Sequence, residues 1–174
     1  IAWLELFGHH SEAVQTHIFV DQLTVIMMLI VAVVGCLICV YAAGYMTDYH
    51  HHHKEVKDRR CFFFALLFVF LGAMFGLVMS SNLIWMYFFW EITSLVSFLL
   101  IGYTKTEEAV NNSFRALWMN LLGGLGFAIA IVYASLELDI SNLQDLVASG
   151  DAVVIIPVIL LAFAGLTKSA QFPF

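Results

Sequence analysis

The chain has 174 residues, 62% of them hydrophobic and 11% charged, with a formal net charge of −6. Soluble domains run near ~45–50% apolar and ~25% charged, so a surplus of this size must face lipid or other helices. The negative balance, and the lack of a basic stripe interleaved with aromatics, exclude nucleic-acid binding.

The sequence opens on Ile1 without a basic n-region and cleavage site, and closes on Pro173-Phe174 within an apolar segment, so a fragment of a longer polypeptide is expected. Residues 1–19 carry Trp3, Glu5, Phe7, His9, His10, Glu12 and His17 and read as an amphiphilic flank. Leu23 to Met46 holds no charge, which predicts a first span at the ~20 residues a bilayer needs. Cys36 and Cys39 inside it read as small buried hydrophobes, because structural zinc and iron–sulfur sites use four ligands. Thr47 to Arg60 is strongly polar and reads as a solvated loop. Four consecutive imidazoles, His50 to His53, cannot all face one ion, so no metal site is expected there.

Cys61 to Trp90 is again uncharged, and its thirty residues make ~45 Å of helix, too long for one crossing of a ~30 Å core. Ser80-Ser81-Asn82 supplies a turn, predicting helices over 61–79 and 83–102. The first contains Gly72-x-x-x-Gly76, a close-packing pattern. Thr106 can cap a helix whose first turn carries Glu107 and Glu108, and which runs through Arg115 to Ser135. Gly123, Gly124 and Gly126 permit close backbone approach in that helix. Ser141 to Gln144 resembles a capping box for a short surface helix, with a C-cap at Gly150. Ala152 onward is the fifth span, interrupted by Pro173.

The fold class predicted is therefore all-α and integral to the membrane: a 1–19 flank, then spans at about 23–46, 61–79, 83–102, 107–135 and 152–174. Lys and Arg lie in alternate connections, in 47–60 and again at Lys105 and Arg115. The positive-inside rule then places residue 1 outside and the His-rich loop in the cytoplasm.

Glu91 lies midway along the third span, where a charge costs on the order of 2.5–3.5 kcal/mol. Burial disfavours its charged form and a nearby cation restores it, so the group can change charge state. Ser94 shares its face at i+3, and Thr93 and Ser97 add polar groups. The alternative is a protonated Glu hydrogen-bonded to a neighbouring helix. Lys168 lies deep in the fifth span beside Ser169, Gln171 and Pro173, and a buried lysine can take up and release a proton. Proline-broken helices at this depth line hydrated cavities; the alternative for Lys168 is snorkelling to the interface. Arg115 reads as an interfacial anchor, and Asn120 as a polar group deeper in the fourth span.

Trp90-Glu91-Ile-Thr-Ser-Leu-Val-Ser-Phe-Leu-Leu-Ile-Gly-Tyr103 and Gly165-Leu-Thr-Lys168-Ser-Ala-Gln-Phe-Pro-Phe174 resemble two signature segments of the antiporter-like subunits. That family includes the proton-pumping membrane subunits of complex I, matching subunits of energy-converting hydrogenases, and the large subunit of Mrp-type antiporters. Phe19-Val-Asp-Gln-Leu-Thr24 and Tyr41-Ala-Ala-Gly-Tyr-Met46 are similar to its third helix. The resemblance implies about fourteen helices built from inverted repeats, of which this chain would supply the first repeat, with a broken last helix. It also implies that Glu91 pairs with Lys168, whose proton is taken and released as the pair tightens and loosens. Asn120-Leu-Leu-Gly123-Gly124 stands where the complex I version has Arg-x-Gly-Asp, and Cys39 replaces a common histidine, so the branch stays open.

The reading that results is a proton-translocating membrane subunit of a complex I-like assembly, with Glu91 and Lys168 as the translocating pair. Ser94, Ser97, Asn120 and Gln171 are its supporting polar groups. The sequence carries no Rossmann fingerprint, cluster-binding cysteine set or nickel–iron motif, so no cofactor, metal or redox-catalytic residue is expected on it. Its partners would be other membrane subunits, the bilayer, H+ and, in some branches, Na+, in the cytoplasmic membrane of a bacterium or archaeon. The rival readings are a stand-alone Na+/H+ antiporter subunit of the Mrp type and a purely scaffolding half.

Overall fold

A backbone in lipid must satisfy its own N–H and C=O groups, which leaves long apolar segments no option but helix. In the computed structural model, which describes residues 18–149 and 154–171, these segments do form helices. In chain order they are α1 Gln22–His52, α2 Arg60–Met79, α3 Leu83–Ile101, α4 Glu107–Glu137, α5 Leu143–Ala148 and α6 Ile155–Lys168. Helices α1 to α4 are long and apolar enough to cross a membrane, whereas α6 is a shorter apolar helix of 14 residues. Most of the 1–19 flank, the expected cap at Gly150, the start of the fifth span and Pro173 lie outside the described residues.

Side chains fix the helix starts. Asp21 accepts the Thr24 amide at 2.7 Å to open α1. Asn82 accepts the amides of Ile84 and Trp85 to open α3. Thr106 accepts from Ala109 to open α4, with Glu107 and Glu108 in the first turn where the helix dipole favours them. Pro157 falls in the first turn of α6, where its missing N–H costs nothing.

Three local expectations are corrected. The loop drawn from Thr47 is helix as far as His52, because the segment is polar but contains no breaker. Thr47 Oγ1 bonds back to the Ala43 carbonyl, and Tyr45, Tyr49 and His53 stack along the extension. At ~1.5 Å per residue the 31-residue α1 is ~46 Å long, so its last turns stand clear of a ~30 Å core. The capping box at Ser141–Gln144 does not close. Asn142 takes the cap position and donates to Asp145, while Gln144 Oε1 instead accepts from Ser81 Oγ at 3.0 Å, tying α5 to the α2–α3 turn.

The third correction is the end of α6. The helix stops at Lys168, before Pro173 is reached. Ala170 takes φ +48°, the Gln171 amide donates to the Leu166 carbonyl and the Ala170 amide to Thr167. This is the Schellman pattern, with alanine at the left-handed position where glycine is usual.

Helix α4 packs against α3 and α6, while α2 lies between α3 and α1. Leu83, Phe127, Ala134, Leu146, Val154 and Ala164 form the core between them. Along α1 only Thr24, Gly35, Ala42 and Met46 are buried, and Leu23, Leu29, Leu37 and Val40 face outward as lipid-exposed residues do. Of the Gly72–Gly76 pair, Gly76 receives the Phe89 ring, whereas no neighbour lies within 4 Å of a side chain built at Gly72.

Candidate functional site

Because α6 ends at Lys168, that side chain leaves a helix C-terminus, where the helix dipole favours a cation. It reaches across to α3, where Nζ donates to Ser94 Oγ at 2.6 Å and lies 5.2 Å from the Trp90 ring centroid. Ser94 is 2% exposed, and its hydroxyl donates in turn to the Trp90 carbonyl at 3.1 Å. Thr93 Oγ1 donates to that same carbonyl at 2.7 Å. Ser94 is the twelfth residue of the 19-residue α3, ~17 Å from Leu83 and ~10 Å from Ile101. The amine of Lys168 is thus held beside the middle of α3 rather than at either of its ends.

Glu91 sits one helical turn away, half-buried on α3. Its carboxylate lies over Gly124 of α4, so closely that a Cβ at that position would strike Oε1. Oε1 is buried and has no hydrogen-bond partner among the described residues, and the Trp90 indole Nε1 is in the same condition. The ion pairs within 4.0 Å among the described residues are His50–Asp58, His52–Asp48 and Arg60–Asp58. Glu91 and Lys168 are therefore brought to adjacent turns but not into direct contact, with Ser94 holding the amine. The glycines make this proximity feasible: Gly123 receives Thr167, Gly124 receives Glu91 and Gly126 receives Phe163, allowing α4 to press against both α3 and α6.

The other polar residues are less central. Ser97 Oγ returns to the Thr93 carbonyl at 2.7 Å. Asn120 is half-buried one turn before Gly124, and Gln171 is exposed beyond the end of α6. Trp90 and Thr167 line the same contact and, although each falls in one of the two signature segments, neither is among the predicted site residues. Each immediately precedes a predicted site residue.

A second cluster gathers at the basic end of the bundle. Tyr103, 7% exposed, bonds His50 Nε2 through its hydroxyl at 2.9 Å and accepts the Arg59 amide at 3.3 Å. Arg59 Nη2 donates to the Tyr103 carbonyl, also at 3.3 Å. Asp58 binds Arg60 at 2.8 Å, and the Arg60 hydrogen bonds hold its carboxyl below the usual carboxylate range. The His50–His53 run diverges: His50 faces Tyr103, His52 faces Asp48, and His53 stacks on Tyr49.

Comparison with known proteins identifies the family. Residues 80–174 match the family described as NADH:quinone oxidoreductase/Mrp antiporter, TM. Residues 3–55 match NADH-Ubiquinone oxidoreductase (complex I), chain 5 N-terminus. The chain is 31% identical over 163 residues to a Na(+)/H(+) antiporter subunit of Staphylococcus haemolyticus, covering 90% of this chain and 19% of the relative. It is 37% identical over 151 residues to a probable K(+)/H(+) antiporter subunit of Rhizobium meliloti, covering 83% and 14%. The solved Mrp complex from Dietzia sp. DQ12-45-1b is similar at a TM-score of 0.56 and 31% identity, over 63% of this chain and 12% of that one. The chain thus spans a fifth or less of the length of these relatives. An all-helical membrane chain with these matches belongs to the NADH:quinone oxidoreductase/Mrp antiporter transmembrane family.

Proposed function

We propose that this chain is a proton-handling part of an ion-translocating membrane subunit, with Lys168 as the carrier, Glu91 as its counter-charge and Ser94 as the resting partner of the amine. The observation that carries the reading is the 2.6 Å bond from Lys168 Nζ to Ser94 Oγ, one turn from a carboxylate that lacks a partner on Oε1. An anionic neighbour favours the protonated amine, and withdrawal from it favours release. Movement of Lys168 between Ser94 and Glu91 would therefore load and unload one proton per cycle. Lys168 is the last residue of α6, two residues before the left-handed turn at Ala170. In this reading residues 20–174 are the first repeat of a longer subunit, with residue 1 outside and the basic connections in the cytoplasm.

The setting best supported is an antiporter, exchanging H+ for Na+ or K+ alongside other membrane subunits. It rests on the relatives named as Na(+)/H(+) and K(+)/H(+) antiporter subunits and on the similarity to a solved Mrp complex. The second setting is a redox-driven pump of the complex I type, favoured by the match of residues 3–55 to a complex I chain.

Proteoliposomes holding the purified full assembly separate the two. Proton flux driven by a Na+ or K+ gradient without an electron donor is the expected result. Flux that appears only with an electron donor moves the chain to the second setting. Flux under neither condition removes both.

A further inference from the structure

A cavity of about 600 Å³ opens where the loop before α2, the end of α3 and the start of α4 meet. Its walls combine two chemistries. Phe62, Phe98, Val110 and Phe114 make an apolar body, and Arg59 and Lys105 supply cations. We propose that this cavity binds an anionic phospholipid, with the phosphate on Arg59 and Lys105 and an acyl chain along the phenylalanines.

Depth is the first argument. Arg59 immediately precedes α2, and Lys105 lies between the last residue of α3 and the first of α4. Both cations thus stand at the ends of membrane spans, where phosphates meet hydrocarbon. The apolar residues begin within a turn of them, and Phe62 and Phe114 present 44% and 49% of their surface outward. Phe98 and Phe114 meet edge to face at 5.3 Å, forming a continuous aromatic wall across α3 and α4.

Charge is the second. Arg60 is neutralised by Asp58 at 2.8 Å, whereas neither Arg59 nor Lys105 has a carboxylate within 4.0 Å among the described residues. Arg59 is also fixed in place: Nη2 donates to the Tyr103 carbonyl and the guanidinium lies 5.9 Å from the Tyr103 ring centroid. A cation immobilised against an aromatic and without a counter-ion is prepared for an anion that arrives from elsewhere. The nearest acidic residues of α4, Glu107 and Glu108, line a separate depression with Arg115. Basic pockets between spanning helices are suited to anionic headgroups, at about fivefold in affinity for each cation.

The test is native mass spectrometry of the intact assembly, extracted in mild detergent from membranes holding both phosphatidylglycerol and phosphatidylcholine. The wild type retains phosphatidylglycerol in preference to phosphatidylcholine. Arg59→Gln combined with Lys105→Gln lowers that retention about 25-fold, and Arg60→Gln leaves it unchanged. Should the double variant fail to assemble, Lys105→Gln alone, at an exposed position, lowers retention about fivefold. A benzophenone side chain in place of Phe114 cross-links to lipid on illumination. Equal retention of the two lipids, or unchanged retention in the variants, overturns the proposal. So does displacement of the lipid by millimolar inorganic phosphate, which marks a simple anion site, or capture of a polypeptide at Phe114, which marks a protein interface.

Discussion

The Lys168 amine is bonded to the Ser94 hydroxyl at 2.6 Å, and Ser94 lies three residues along α3 from Glu91. In the proposed cycle Ser94 is the group that holds the amine away from the carboxylate. A hydrogen bond to a charged group is worth ~1.5–3 kcal/mol, so its loss disturbs any cycle in which the open state must be populated. Ser94→Ala is expected to slow proton flux in proteoliposomes by about tenfold or more, while Ser94→Thr, which keeps the hydroxyl, retains most of it. Equal rates in Ser94→Ala and wild type would deny Ser94 this role.

Gly124 faces Glu91 so closely that a side chain there must displace the carboxylate. Gly124→Val is expected to destabilise the α3–α4 contact by about 1–3 kcal/mol, read as a lower thermal midpoint, and to abolish flux. Gly72 is the matched control. Nothing lies within 4 Å of a Cβ there, so Gly72→Ala leaves flux intact and raises helix stability by about 0.8–1 kcal/mol.

Ala170 holds the left-handed position that closes α6, at φ +48°. An L side chain in that region costs ~1–2 kcal/mol, which glycine avoids. Ala170→Gly is expected to raise the thermal midpoint, with a gain of about 1 kcal/mol. A lower midpoint would mean that this turn does not hold the end of the helix.

Asp58 supplies the pH dependence. Its carboxyl is held below the ordinary aspartate value of 3.8, first by the hydrogen bonds from Arg60. A depressed carboxyl contributes stability that is complete above its unfolded value and is lost as pH falls through the folded one. The Asp58–Arg60 clip is therefore constant across neutral pH and disappears only below about 3.8. The difference in thermal midpoint between wild type and Asp58→Asn should stay level from about pH 5 to 8 and shrink under stronger acid. A difference that varied across neutral pH would deny the Asp58–Arg60 clip this role.

Much of the fold is legible in the sequence because the responsible groups announce themselves locally. Asn82 precedes an apolar run and Thr106 precedes the acidic pair Glu107-Glu108, and both cap as their types suggest. The end of α1 is not legible, since Thr47–His52 is polar without being helix-breaking, and the extension shows only in contacts such as the Thr47–Ala43 bond and the stacking of Tyr45, Tyr49 and His53. The end of α6 is hidden because Pro173 is a visible breaker while Ala170 is not. The left-handed turn there depends on the Leu166 and Thr167 carbonyls, and nothing in the residue type predicts it. At the site, Glu91, Ser94 and Lys168 stand out through the cost of polar groups in lipid. The Gly124 seat under Glu91 and the Tyr103 hub do not, because each is a contact between distant segments.

The decisive measurement is proton flux by the full assembly reconstituted with Lys168→Ala. Removal of the amine that bonds Ser94 leaves no group on α6 to carry the proton, and flux is expected to fall to the level of protein-free vesicles while assembly is unaffected. Undiminished flux in that variant would contradict the assignment of Lys168 as carrier, and the proposed role of Glu91 with it.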